Sequence, residues 1–164
     1  MQSQKMDQGS SQMLKSPDIA FAMKAAQGSG AEVQMGKLAA EKASSADVKA
    51  FGRQMIHDHT KANDDLKAVA EKKRMTLAAD MDAHELPQYS KLQRLSGAAF
   101  DRAYVKDMVK DHEEDVKEFQ KEAKNGQDED IKGFASRTLP VLQAHLDKIK
   151  SIQSNMQQKG SSTK

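Results

Sequence analysis

Four polar residues interrupt apolar stripes of helical spacing in this chain: Glu32, His59, His112 and His145. The other residues of each stripe are apolar or small apart from Thr138, so each of the four is expected to face the inside of a bundle. A buried polar side chain is costly without a partner. Three imidazoles and one carboxylate suit Zn²⁺ or Cu²⁺, with Fe²⁺ a weaker candidate. The pattern therefore predicts a site for one transition metal ion and no organic cofactor.

The same four residues allow two other interpretations. Neutral imidazoles can donate hydrogen bonds to Glu32 and to one another, which would make a metal-free network that fixes the register of the helices. Alternatively, a His/Glu acid–base pair could act in a pocket opened by Gly28, Gly30 and Gly52. A metal-dependent oxidoreductase is a further alternative. Because the sequence offers no evident nucleophile, we expect a protein that is not an enzyme.

Acidic residues precede two of these histidines. Asp58 and Asp111 lie about 100° around the helix from their neighbours, so they cannot easily reach the same metal. Each could orient a histidine on a neighbouring helix or pair with a lysine. His57 lies about 200° from His59, and we expect it on the surface together with His84.

Methionine is unusually frequent, at ten residues. Met35 and Met55 lie one turn from Glu32 and His59, and thioether sulfur beside imidazole is typical of copper(I) sites. The alternative is that both methionines fill gaps in a core that is poor in aromatic residues.

Four long amphipathic segments must position these side chains. The helices are predicted over about residues 16–43, 47–73, 97–124 and 129–157, with a kink at Pro140. Between them, residues 74–96 form a connection with a short helix over about 84–95. Each polar residue lies within two residues of the midpoint of its helix, which corresponds to about 3 Å along the axis. The site is therefore predicted at the midplane of an antiparallel four-helix bundle.

Composition sets the class of protein. The net charge of +2 has interspersed signs and gives no case for nucleic acid. Without cysteine there is no thiol chemistry, and no stretch approaches the ~18 apolar residues that span a bilayer. A protein partner or homo-oligomer is left open, and the flanking residues Leu38, Ile56 and Tyr104 could supply an exposed apolar patch.

The ends of the chain differ from its body. Residues 1–15 are polar and without periodicity, as in a flexible tether left after removal of a signal peptide, which would place the protein in the periplasm or outside the cell. The bundle domain is predicted over 16–157 and a disordered tail over 158–164.

Three segments carry a resemblance to a known family: "AEVQMGKLAAEKASSADVKAFGRQMIHDHTKANDDLKAVA", "LSGAAFDRAYVKDMVKDHEEDV" and "FASRTLPVLQAHL". Across residues 17–152 the chain resembles the bacterial family called domain of unknown function 4142. The resemblance implies a ferritin-like four-helix bundle, usually exported and often described as an outer-membrane protein, with no established activity. It would make residues 74–96 the long crossover connection of that fold.

One departure from the wider ferritin-like pattern bears on chemistry. Di-iron bundles carry Glu-x-x-His on two helices, whereas Ile56, Val109 and Leu142 stand three residues before the three histidines. We therefore expect no ferroxidase or oxygenase chemistry. The function we predict is metal binding or buffering by an exported bundle, and the alternative is a structural or interaction module of the cell envelope.

Overall fold

The computed structural model describes residues 16–78, 80–81 and 83–162. These residues form five α-helices and no strand: α1 (Ser16–Lys42), α2 (Ala46–Lys72), α3 (Leu86–Gln93), α4 (Gly97–Asn125) and α5 (Glu129–Ser161). The all-α prediction is confirmed. The predicted tether at 1–15 lies outside the described residues and stays a prediction.

Capping side chains account for where two of the long helices begin. Ser45 accepts a hydrogen bond from the backbone N–H of Val48 (3.4 Å) at the start of α2. Asp128 accepts hydrogen bonds from the N–H groups of Asp130 and Ile131 (both 3.0 Å) at the start of α5. Serine and aspartate are favoured at this position because their oxygens satisfy N–H groups that have no partner within the helix.

Two boundaries differ from the prediction. Helix α5 continues to Ser161, so residues 158–161 are helical although their polar composition predicted a disordered tail from 158. Met156, near this end, packs against the core. The short helix begins at Leu86 and not at 84, because Pro87 suits a first helical turn, where its missing N–H costs nothing. Pro140 lies inside α5, and the kink predicted there stays a prediction.

Contacts at opposite ends of the helices show how they pack. Asp101, near the start of α4, accepts a hydrogen bond from the Ser44 hydroxyl just after α1 (2.7 Å). Asp18, near the start of α1, accepts one from the backbone N–H of Gln127 just after α4 (3.1 Å). Helices α1 and α4 are therefore antiparallel neighbours. The other extensive contacts join α1 to α2, α4 to α5 and α2 to α5.

The apolar core consists of two clusters. One contains Met35, Met55, Phe100, Met108 and Ile149 among its members, toward the turn between α1 and α2. The other lies at the opposite end and contains Ala22, Leu66, Phe119, Phe134 and Leu142. In α2, α4 and α5 the histidine falls between the segments that form the two clusters, whereas Glu32 on α1 directly follows Ala31 of the first cluster. All four polar residues are buried.

One expectation about outward-facing residues is wrong. Tyr104 is fully buried and stacks on Phe100, with ring centroids 5.7 Å apart, so it supplies no exposed patch. Leu38 and Ile56 are half-buried. The larger exposed apolar side chains are elsewhere, at Met23, Leu86 and Val141.

Gly52 does not open a pocket. A Cβ atom at this position would lie 2.7 Å from the Gly36 carbonyl oxygen and 2.7 Å from the Ala39 side chain. Gly52 is needed because α1 and α2 approach closely there. In the described part of the chain, no helix combines the length and the hydrophobicity that crossing a membrane requires.

Candidate metal centre

The three buried histidines converge from three different helices. His59 on α2, His112 on α4 and His145 on α5 each offer one ring nitrogen, and these nitrogens all lie within 4.8 Å of one another. The ring centroids are 5.4 to 5.9 Å apart. Such a cluster can bring three imidazoles to a single ion with small side-chain movements, because Zn–N and similar bonds are about 2.0 to 2.1 Å long.

Each histidine uses one ring nitrogen for a hydrogen bond within the protein and leaves the other buried without a hydrogen-bond partner. The bonded pairs are His59 Nδ1 with Ser29 Oγ (3.1 Å), His112 Nδ1 with the Met108 carbonyl oxygen (2.9 Å), and His145 Nε2 with Asp58 Oδ2 (2.7 Å). The unpartnered atoms are His59 Nε2, His112 Nε2 and His145 Nδ1. Anchoring of one nitrogen by a carbonyl or carboxylate is how proteins present the other to a metal.

Burial keeps these imidazoles neutral. It lowers the pKa of His59 well below its ordinary value, and the neighbouring rings of His112 and His145 lower that pKa further. Burial likewise lowers the pKa of His112, to about 4, and the pKa of His145. Because a neutral imidazole has one nitrogen lone pair that is free to bind a metal, the site is ready for a cation at neutral pH.

Glu32 lies beside the histidines on α1. Its Oε2 is 3.0 Å from His59 Nε2, without hydrogen-bond alignment, and its Oε1 is 3.4 Å from His112 Nδ1. Burial raises the pKa of Glu32 well above its ordinary value, and the charges of Asp115 and Asp111 raise it further. A bound cation would offset the free-energy cost of ionising this buried carboxylate.

The other predicted site residues lie in different surroundings. Asp58 contacts His145 across the interface of α2 and α5. Asp111 contacts no histidine of the cluster and instead accepts a hydrogen bond from Gln88 of α3 (2.8 Å). Met35 and Met55 are buried in the apolar cluster toward the α1–α2 turn. These apolar surroundings are those expected if the two methionines fill gaps in the core.

The two histidines expected on the surface are there. The side chain of His57 is 77% exposed and lies 2.8 Å from Asp58 Oδ1. His84, between α2 and α3, is also exposed. Neither belongs to the cluster of three.

Sequence reasoning missed Ser29, Asp115 and the backbone carbonyl of Met108. Ser29 stands one turn before Glu32, so a small polar residue in the same stripe was the available signal. Asp115 stands three residues after His112 and is half-buried. Burial and the neighbouring carboxylates Asp111 and Glu118 raise its pKa to about 7. Nothing in the pattern of side chains indicates a backbone carbonyl.

Comparisons with known proteins show which solved structures resemble the overall fold. Three solved structures share the fold. The first is a DUF305 fragment from Deinococcus radiodurans: 8% identity, TM-score 0.75, covering 87% of this chain and 98% of that one. The second is a DUF305 protein from Streptomyces coelicolor, described as a candidate secreted protein: 11% identity, TM-score 0.71, with coverages of 85% and 93%. The third is a protein called CopM, solved in its Cu(II)-bound form: 16% identity, TM-score 0.72, with coverages of 85% and 97%.

No curated protein matches the sequence. A family model does match, that of the domain of unknown function DUF4142, and the match extends over residues 3–152. That range covers most of the 164 residues and includes all four polar residues of the core. The chain is therefore a member of the DUF4142 family.

Proposed function

We propose that this protein binds one transition metal ion at His59, His112 and His145, with Glu32 as a fourth ligand or an immediate neighbour, and serves to bind or buffer that metal. The observation that carries the proposal is the set of three buried ring nitrogens without hydrogen-bond partners. Three such atoms in one cluster leave a large desolvation cost uncompensated. Coordination of a single cation would satisfy all three together.

The donor set favours copper(II) or zinc. Neutral imidazole suits both ions, while the oxygen-rich environment that iron sites use is limited here to Glu32. The shared fold with CopM, which was solved with Cu(II) bound, supports placing copper first. Met35 and Met55 serve in this proposal as apolar packing and not as ligands.

The proposal includes an exported, ferritin-like bundle. Helix α1 is antiparallel to both α2 and α4, so α2 and α4 point in the same direction, and residues 73–96 must return along the length of the bundle. This supports the long crossover of ferritin-like folds. The description of the Streptomyces coelicolor neighbour as a candidate secreted protein supports export.

A metal-free network is the alternative that the same residues allow. In such a network the imidazoles would bond to one another and to Glu32, but Glu32 Oε1 and one nitrogen of every ring lack a hydrogen-bond partner. A network built only to hold the helices would be expected to satisfy its own members.

Elemental analysis of protein purified without a His tag, followed by titration with Cu²⁺ and Zn²⁺, tests the proposal. We expect one equivalent bound, lost in His59→Ala and in His112→Ala. His57→Ala is the matched control, since this exposed histidine lies two residues from His59 on the same helix; it loses one hydrogen bond to Asp58 but should still bind one equivalent. Binding well below one equivalent, or binding that both core variants retain, would show that the cluster is architectural.

A further inference from the structure

A groove of about 590 Å³ lies between α1, α4 and the region just before and within α3. Of the four residues proposed to bind metal, Glu32 alone is part of its wall. The histidines lie deeper, on the other side of this carboxylate. The groove is thus open on one side and ends on the other at a residue in contact with the histidine cluster.

Acidic side chains are concentrated along this groove. Besides Glu32, its wall carries the carboxylates of Glu85, Asp111, Glu114 and Asp115, against the single ammonium of Lys24. Lys24 itself is paired with Glu118 outside the groove wall. A cleft lined by one sign of charge concentrates ions of the opposite sign and raises their rate of association.

Glu32 connects the groove to the histidines. Its side chain is 5% exposed, and its Oε1 is buried without a hydrogen-bond partner. Its Oε2 is 3.0 Å from His59 Nε2. Its Oε1 is 3.4 Å from His112 Nδ1, so both oxygens contact the cluster while the residue also forms part of the groove wall, and a cation arriving through the groove would meet Glu32 before the histidines.

Gly28 lies where the groove approaches the histidine cluster. It lines the groove and also a small cavity of about 20 Å³ whose wall includes His59 and Asp115. A Cβ atom at Gly28 would meet nothing within 4 Å. Glycine within a helix costs about 1 kcal/mol relative to alanine, and no packing contact at Gly28 explains that cost. A side chain there would project into the open space.

We infer that this groove is the route by which a hydrated divalent cation reaches the three histidines, with Glu32 as the ligand that receives the ion from the groove and Gly28 keeping the passage open. The inference rests on the proposed function and adds the path and the class of cargo. It concerns the rate of metal binding, whereas the proposed function concerns the equilibrium.

Stopped-flow mixing with copper(II) tests the route, using the quenching of tyrosine fluorescence as the readout. In Gly28→Leu and in the double variant Glu114→Gln/Asp115→Asn, we expect association to slow by about tenfold, within the range of electrostatic and steric control of such rates. The stoichiometry should stay at one equivalent. The double variant should also show a weaker salt dependence of the rate, since screening acts on the charges it removes.

Matched controls separate the route from general effects. Gly160→Leu adds the same side chain at another helical glycine whose Cβ would meet nothing within 4 Å. Glu113→Gln/Glu129→Gln removes two carboxylates that lie outside the groove wall. Both controls should bind copper at the wild-type rate.

The outcomes are distinguishable. Wild-type rates in both groove variants, with one equivalent still bound, would overturn the route and leave the proposed function standing. Failure of the unmodified protein to bind either Cu²⁺ or Zn²⁺ would overturn the proposed function and the route together. Slowing in the groove variants but not in the controls supports the route.

Discussion

Replacing Asp58 by asparagine should weaken metal binding, because Asp58 holds His145 in the form that presents its free nitrogen. Asp58 Oδ2 lies 2.7 Å from His145 Nε2. Burial opposes the charge on Asp58, but hydrogen bonds from Gln54, His57 and His145 outweigh it and hold the pKa of Asp58 at about 2. The carboxylate is thus ionised at neutral pH and accepts the Nε2–H, which leaves the lone pair on Nδ1.

The structure sets the size of the effect. Carboxylate partners of metal-binding histidines are worth roughly 10- to 100-fold in affinity, or about 1.4 to 2.7 kcal/mol. The side chains of His145 and Asp58 are 5% and 17% exposed, so water screens this pair only in part. We therefore expect a loss in the upper half of that range for Asp58→Asn, roughly 30- to 100-fold. Stability without metal should fall by only about 1 kcal/mol, because the amide oxygen can still accept the hydrogen bond.

Competition with a chromophoric copper chelator measures the affinity, and urea unfolding of the metal-free protein measures the stability. Asp65→Asn is the control, since Asp65 lies on the same helix in an exposed pair with Lys61 and should change neither quantity appreciably. An affinity of Asp58→Asn within twofold of wild type, when His145→Ala abolishes binding, would refute the positioning role of Asp58.

Three further predictions concern stability. Burial, with Asp18 nearby, raises the pKa of Glu122 from 4.5 to about 7. The proton on Glu122 therefore stabilises the folded state fully below pH 4.5. This contribution is lost as the pH rises through 7. Glu122→Gln should remove this loss of stability with pH and raise the free energy of unfolding at pH 8 by roughly 1 to 2 kcal/mol after allowance for solvent screening. A wild-type urea midpoint that does not fall between pH 5 and 8 would contradict this. Asp101→Ala should lower the free energy of unfolding in urea by about 3 kcal/mol, because three hydrogen bonds from the turn after α1 lose their acceptor. A decrease below 1 kcal/mol would show that water replaces the carboxylate as acceptor. Gly52→Ala should cost about 1 to 3 kcal/mol by forcing α1 and α2 apart at Gly36, whereas Gly28→Ala, with open space around its Cβ, should raise the melting temperature.

Much of the fold and the identity of the core polar residues follow from helical periodicity. A repeat of 3.6 residues determines which side chains share a face, so His59 is placed inside and His57 outside without reference to any other helix. Proximity to the midpoint of each helix, with a fixed rise per residue, places the four polar residues at a similar height. These inferences hold because they depend on a single helix at a time.

Relations between helices could not be predicted in the same way. Asp58 and Asp111 occupy equivalent positions before a histidine, yet the first contacts His145 and the second contacts Gln88. Tyr104 is buried because α4 turns this residue toward Phe100 and Phe51. The rotation of each helix and the identity of its neighbours decide such contacts, and the pattern of one helix contains neither.

The sequence by itself therefore determined that a glutamate and three histidines face a common interior at a common height. The tertiary structure alone decided that the three histidines form one cluster, that Ser29, Asp58 and the Met108 carbonyl each hold one ring, and that Glu32 separates this cluster from an acidic groove. The physical reason is the difference in scale. Periodicity assigns a side chain to a face within several ångströms, whereas a hydrogen bond or a ligand position depends on a few tenths of an ångström between atoms on different helices.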